Sequence, residues 1–127
     1  MKKKILVVDD EPGIAMMVKA KLESEGYMVD VAYTGEDGLE QVKQQKPDLV
    51  VLDVMLPQLN GYQVCAQLKE DVTLNVPVIM LTSRIQAIDE RVGFLCKADA
   101  YIRKPYFGEK LIPEVERLLK DDFSEQW

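Results

Sequence analysis

Residues 48 to 57 read DLVVLDVMLP. Four apolar residues run into Asp53, and a short apolar segment closed by Pro57 follows. A continuous apolar run of this length, bounded by polar residues, marks a strand buried on both faces. Such a strand rarely ends on a carboxylate without a reason, so Asp53 is the first residue to account for. Working outward, KILVVD (4 to 9) is a second buried strand ending in acids, and VPVIMLT (76 to 82) and AYIRK (100 to 104) are two more. YMVDVA (27 to 32) alternates apolar with polar, as a more exposed strand does.

Helix-like stretches separate these runs. Pro12 suits a first helical turn. After it, Ile14, Met17, Val18, Lys21 and Leu22 fall at helical spacing, and Gly26 ends the segment. Thr34 caps a second helix with Asp37 three residues on, a loose capping box, and Leu39 and Val42 face the core. Gly61 opens a third, with Val64, Cys65 and Leu68 inward. A polar segment from about 85 to 96 is expected to be helical. The last helix, about 107 to 120, carries Leu111, Val115, Leu118 and Leu119. Five strands alternating with five helices imply an α/β fold: a doubly wound five-stranded parallel sheet with helices on both faces. The tail DDFSEQW is expected to fray.

The composition narrows the chemistry. With 127 residues, 47% hydrophobic and 30% charged, the chain reads as one soluble domain. No uncharged run is long enough to span a bilayer. MKKKILVVDD lacks the apolar stretch of a signal peptide, so a cytoplasmic location is expected. A net charge of -6 argues against direct binding to nucleic acid. Cys65 and Cys96 lie far apart and read as buried free thiols. The chain holds no histidine, which excludes an imidazole base, a histidine-containing zinc site and a phosphohistidine of its own. Any chemistry rests on carboxylates, hydroxyls and lysine.

In an open α/β sheet, functional groups gather beyond the carboxyl ends of the strands. Here those ends carry Asp9 and Asp10, Asp53, Thr82 and Lys104. Singly, each has an ordinary explanation. Asp10 suits a helix N-cap, Asp53 a strand end, Thr82 a strand, and Lys104 a solvated surface. Together they do not, because three carboxylates at adjoining strand ends repel one another unless a cation sits among them. Mg²⁺ fits, with Mn²⁺ as a substitute, since such hard ions bind through one or two carboxylates and keep several waters. A metal beside a carboxylate, a hydroxyl and a lysine suits phosphoryl transfer, with Asp53 as nucleophile and Asp9 and Asp10 as metal ligands. Thr82, Lys104 and the ion then hold the phosphoryl oxygens.

At this point the chain resembles the receiver domains of two-component response regulators, including the chemotaxis receivers, over nearly its whole length. VVDDEP, LDVMLPQLNG, VIMLTSR and YIRKPY carry the resemblance, in order and at matching spacing. It implies a flavodoxin-like sheet of order 2-1-3-4-5, with residues 1–121 as the receiver and 122–127 as a tail. It also implies that Asp53 accepts a phosphoryl group from a sensor histidine kinase or phosphotransfer protein, and loses it slowly to water. Asp9, Asp10, Asp53 and the Met55 carbonyl would hold the metal, with Pro57, Gly61 and a cis bond before Pro105 as structural supports. Thr82 and Tyr101 would switch the face made by the 85–96 segment, the fifth strand and the last helix. That face would control a downstream protein or a fused output domain, or drive phosphorylation-dependent homodimerisation. From the residues alone, Tyr101 is an ordinary half-buried strand aromatic.

The chain departs from the family pattern on that face. Lys97-Ala98-Asp99 replaces a common Gly-Ala-Asp, so a left-handed helix end is expected to be strained and rearranged. Pro113 is expected to kink the last helix. Ala100 stands where many transcription-factor receivers carry a second aspartate. The output alternatives are a free-standing regulator that binds a partner and the excised receiver of a longer DNA-binding transcriptional regulator. A flavin-binding fold needs a Ser/Thr/Gly-rich phosphate loop, and DDEPG instead places three acids there. An aspartyl-phosphate hydrolase typically carries a second acid two residues after the nucleophile, where this chain has Met55.

Overall fold

A computed structural model describes residues 2–82, 97–104 and 107–124. The described elements are β1 (Lys4–Val8), α1 (Pro12–Ser24), β2 (Met28–Ala32), α2 (Gly35–Gln45) and β3 (Leu49–Asp53), followed by α3 (Gly61–Glu70), β4 (Val78–Thr82), β5 (Ala100–Arg103) and α4 (Phe107–Ser124). All strands pair in parallel, in the order β2-β1-β3-β4-β5. The expected helix at 85–96, Cys96, Pro105 and residues 125–127 lie outside the described residues.

Strand side chains alternate between faces, so each buried strand feeds two cores. Leu6, Val8, Val50, Leu52, Val78 and Met80 point to one face, where Val42 of α2 and Val64, Cys65 and Leu68 of α3 cover them. Ile5, Val7, Val51, Ile79 and Leu81 point to the other, under Val18 and Leu22 of α1 and Leu111 and Val115 of α4. Every residue of β3 and β4 is buried. This explains why their sequences read as continuous apolar runs rather than alternating ones.

The caps at α2 and α3 are local, and of the two only Thr34 was expected. The Thr34 hydroxyl accepts from the Asp37 N–H at 3.0 Å. Asn60 and Gln63 form a complete capping box at α3, each side chain taking the other's backbone N–H at 3.0 Å. Together these satisfy donors that the helix cannot pair itself.

Four expectations need correction. Met17 is 56% exposed, and α1 instead buries Ala15, Val18 and Leu22, spaced three and four apart. Asp10 is not the N-cap of α1; Glu11 holds that position without a side-chain cap bond. Lys97 keeps the left-handed conformation, with φ of 63°, so lysine takes the backbone state that glycine would adopt without strain. α4, which runs from Phe107 to Ser124, contains Pro113 as expected. It forgoes the bond that a residue-113 N–H would have donated to the Glu109 carbonyl. Residues 121–124, expected in the frayed tail, are its last helical residues.

Candidate functional site

The parallel register carries the polar strand ends to one rim. Val8 lies opposite Leu52, Asp53 opposite Leu81, and Thr82 opposite Arg103. Asp9 therefore leaves β1 beside the end of β3, and Lys104 leaves β5 just beyond Thr82, where its N–H donates to the Thr82 carbonyl at 2.7 Å. Asp9, Asp53 and Thr82 are the buried polar residues of the described chain, at 1%, 2% and 4% exposure. All three stand at this rim.

Lys104 joins the carboxylates. Its Nζ lies 3.1 Å from Asp9 Oδ2, 3.5 Å from Asp53 Oδ1 and 3.9 Å from Glu11 Oε1. Two backbone donors fix the carboxylates further: the Glu11 N–H donates to Asp9 Oδ1 at 3.0 Å, and the Met55 N–H to Asp53 Oδ1 at 3.2 Å. Asp9 thus orders the turn into α1, and Asp53 orders the first bend after β3. Asp53 nonetheless keeps its proton far more readily than a free carboxyl does. Burial first, then the neighbouring Asp9, pushes its pKa from 3.8 up to about 6, against the opposing pull of Lys104 and the Met55 N–H. Burial pulls the Lys104 ammonium down. Asp53 and Asp9 outweigh it and hold its pKa above the usual lysine value.

The arrangement is one ammonium for two buried carboxylates, and two more acids lie close by. Asp9, Asp10, Glu11 and Asp53 each bring one carboxylate oxygen into a group whose members all lie within 4.8 Å of one another. This is a cluster of hard oxygen donors with excess negative charge, and it can hold a divalent cation such as Mg²⁺. Glu11 is absent from the sequence-derived set. Only its place directly after Asp9-Asp10 pointed to it.

Gly61 positions Asp53 by close approach. A Cβ on Gly61 would collide with the Asp53 carbonyl oxygen and sit 2.7 Å from the Val54 Cα, and the Gly61 N–H donates to the Val54 carbonyl at 3.0 Å. No other side chain fits where α3 meets the end of β3. Met55 is 68% exposed at the mouth of the site, and Leu56 is buried just before Pro57. Tyr101 is half-buried and packs against the core shared with α2 and α3. Pro105 lies outside the described residues. Among the described residues, no helix is long and apolar enough to cross a membrane.

Comparison with known proteins agrees with this geometry. The model of the response regulator receiver domain matches residues 5–116. Over 120 residues the chain is 42% identical to the alkaline phosphatase synthesis transcriptional regulatory protein PhoP of Bacillus subtilis (strain 168). The match covers 94% of this chain and 50% of that one, so the chain spans about half the length of that relative. The beryllofluoride-activated receiver domain of DrrB, a Thermotoga maritima OmpR/PhoB homolog, superposes with a TM-score of 0.84 at 38% identity. That superposition covers 94% of this chain and 99% of that one. A CheY-like receiver domain protein from Methanospirillum hungatei JF-1 gives a TM-score of 0.90 at 29% identity, covering 98% and 99%. Sheet order, rim chemistry and these likenesses agree, and the chain belongs to the response regulator receiver domains of two-component systems.

Proposed function

We propose that Asp53 is the phosphoacceptor of a phosphorylation-switched signalling domain. What supports this reading above all is the meeting of Asp53 with Asp9 and Lys104. A buried carboxylate is mounted on a rigid strand end, with a cation 3.5 Å from it and further acids beside it. Asp9, Asp10, Asp53 and the Met55 carbonyl would hold Mg²⁺, with Glu11 at the edge of the set and Mn²⁺ as a substitute. Bound there, the ion neutralises charge on the transferring phosphoryl oxygens.

The chain's own groups divide the remaining work. Asp53 Oδ1 is engaged by the Met55 N–H and Lys104, which leaves Oδ2 as the attacking oxygen. Its attack forms the new O–P bond as the bond from phosphorus to the donor's histidine nitrogen breaks, and that nitrogen keeps the electron pair. Lys104 shifts from the carboxylates toward the transferred group, and the Thr82 hydroxyl donates to it. Tyr101 follows Thr82 and alters the face that β5 and α4 present. With a pKa of about 6, Asp53 is mostly ionised at neutral pH and is competent as a nucleophile.

The donor is a sensor histidine kinase or phosphotransfer protein. With no histidine of its own, the chain is the recipient in that exchange. The domain is a regulatory phosphoacceptor in the cytoplasm that loses its phosphoryl group slowly to water, and residues 1–121 form the working unit. The relationship to PhoP, named as a transcriptional regulatory protein, favours an output in transcription, through a DNA-binding element that is fused or separate. Incubation with acetyl phosphate and Mg²⁺ tests the assignment by intact mass. The wild type gains one phosphoryl group and Asp53→Ala gains none. A gain that persists in Asp53→Ala, or no gain in the wild type, refutes it. Repeated turnover of a generic phosphate ester would point to a hydrolase instead.

A further inference from the structure

At the opposite end of β5 from the rim, a second polar constellation has no part in the chemistry above. Asp99 Oδ2 accepts from the Val78 N–H at 2.7 Å and from Lys69 Nζ at 2.6 Å. The Asp99 N–H donates to the Val78 carbonyl at 2.9 Å, and Lys69 Nζ also donates to the Val76 carbonyl at 3.1 Å. Arg117 of α4 reaches the Asp99 carbonyl at 3.4 Å. The residue leading into β5 is thus fastened to the start of β4, to the end of α3 and to α4.

β5 needs such a fastening. It is an edge strand, paired only with β4. Of its four residues only Ile102 is buried, so burial alone specifies its register weakly. Yet the site depends on that register. Five residues beyond Asp99, Lys104 must reach Asp9 at 3.1 Å and Asp53 at 3.5 Å. A slip of one residue moves the strand by about 3.3 Å and turns each side chain to the other face, which would carry Lys104 out of reach.

We propose that Asp99, through its clamp on Val78 and Lys69, is a positioning residue that sets the register of β5 and thereby delivers Lys104 to the carboxylates at the far rim. The inference rests on the reading of Asp53 as phosphoacceptor. Beryllofluoride with Mg²⁺, followed by ¹⁹F NMR of the bound species, tests it. Asp99→Ala weakens beryllofluoride binding about tenfold, and Asp99→Asn, whose Oδ1 can still accept from Val78, stays within about twofold of wild type. Lys69→Met, which keeps the Asp99–Val78 bonds, falls between them and serves should Asp99→Ala not fold.

Two further readouts separate positioning from general damage. Mg²⁺ affinity, measured by calorimetry without beryllofluoride, is not weakened in Asp99→Ala, because the acids that would hold the ion lie on β1 and β3 and the turns that follow them. In a Lys104→Ala background, Asp99→Ala and Lys69→Met lose their effect, since each acts through Lys104. Parallel loss of Mg²⁺ affinity, additivity with Lys104→Ala, or unchanged beryllofluoride binding in Asp99→Ala overturns the inference while leaving Asp53 as phosphoacceptor. If the wild type takes up no beryllofluoride, the reading of Asp53 fails and this inference with it.

Discussion

In the metal-free protein, replacing Asp53 with asparagine should raise stability, and only above the pH at which Asp53 ionises. At an effective dielectric near 20, the repulsion from Asp9 across at most 4.8 Å and the attraction to Lys104 at 3.5 Å are each about 4 kcal/mol and nearly cancel. What remains is the cost of burying the carboxylate, which lifts its pKa from 3.8 to about 6. At 1.36 kcal/mol per pKa unit, this is a penalty of about 3 kcal/mol on the folded, ionised state. The sign follows from proton counting. Between 3.8 and about 6 the folded chain holds a proton that the unfolded chain has released, so stability falls as pH rises through that window and the full penalty stands above it. Asparagine keeps the shape and the oxygen that accepts from Met55 but carries no charge. Urea denaturation in EDTA should therefore show Asp53→Asn more stable than wild type by about 2–3 kcal/mol near pH 8, with the gap closing near pH 4. Mg²⁺ should narrow the gap from the other side, because an ion at a hundred times its Kd stabilises the wild type by about 2.7 kcal/mol and the variant by less. A gap that ignores pH, or a variant less stable than wild type near pH 8, would falsify the reasoning.

The other predictions concern the groups around that carboxylate. Lys104→Met should destabilise the metal-free protein by about 3 kcal/mol, since it leaves two buried carboxylates without their cation, and Mg²⁺ should recover part of the loss; denaturation midpoints with and without the ion check both. Gly61→Ala should cost about 2 kcal/mol or more, because its methyl meets the Asp53 backbone, and it should slow acetyl phosphate labelling of Asp53 as well. A variant labelled at the wild-type rate would break the link between α3 packing and Asp53 placement. Thr34→Ala should lower stability by about 1 kcal/mol through loss of one cap bond, with labelling unchanged, and so serves as a control of matched origin outside the site.

How much of this was legible in the sequence depended on how local the cause was. The strands, α2 and α3 were readable from apolar spacing and the Thr34 cap, whereas the Asn60–Gln63 box was not foreseen and Gly61 acts on the Asp53 backbone eight residues away. The α/β class followed from alternation, whereas the order of the strands came only with the family resemblance. Asp9, Asp10, Asp53, Thr82 and Lys104 could be placed at one rim because a parallel sheet sends every strand's carboxyl end the same way. Met17 was misassigned because, over the nine residues 14–22 of α1, neighbouring positions share the helical spacing, and only the packing of Val18 and Leu22 against the sheet decides which ones are buried. Glu11 and the Asp99 clamp stayed hidden for another reason. Glu11 depends on where a turn aims one side chain, and Asp99 on partners 21 and 30 residues away. Neither leaves a periodic trace.

The two ends of β5 therefore place opposite demands on one short strand. At the rim, two carboxylates share one ammonium, an arrangement that is costly until a cation or a phosphoryl group redistributes the charge. At the base, Asp99 joins β4, α3 and α4 through hydrogen bonds and one ion pair, and every partner is satisfied within the chain. A group meant to shift on phosphorylation must be loosely held where it acts, yet it must return to the same place afterwards. Lys104 meets both conditions if the rim supplies the incentive to move and the base fixes the register to which β5 returns. On that argument, weakening the base should blur the difference between the unphosphorylated and phosphorylated states. The β5 amide signals of Asp99→Ala should then shift less on beryllofluoride binding than those of the wild type.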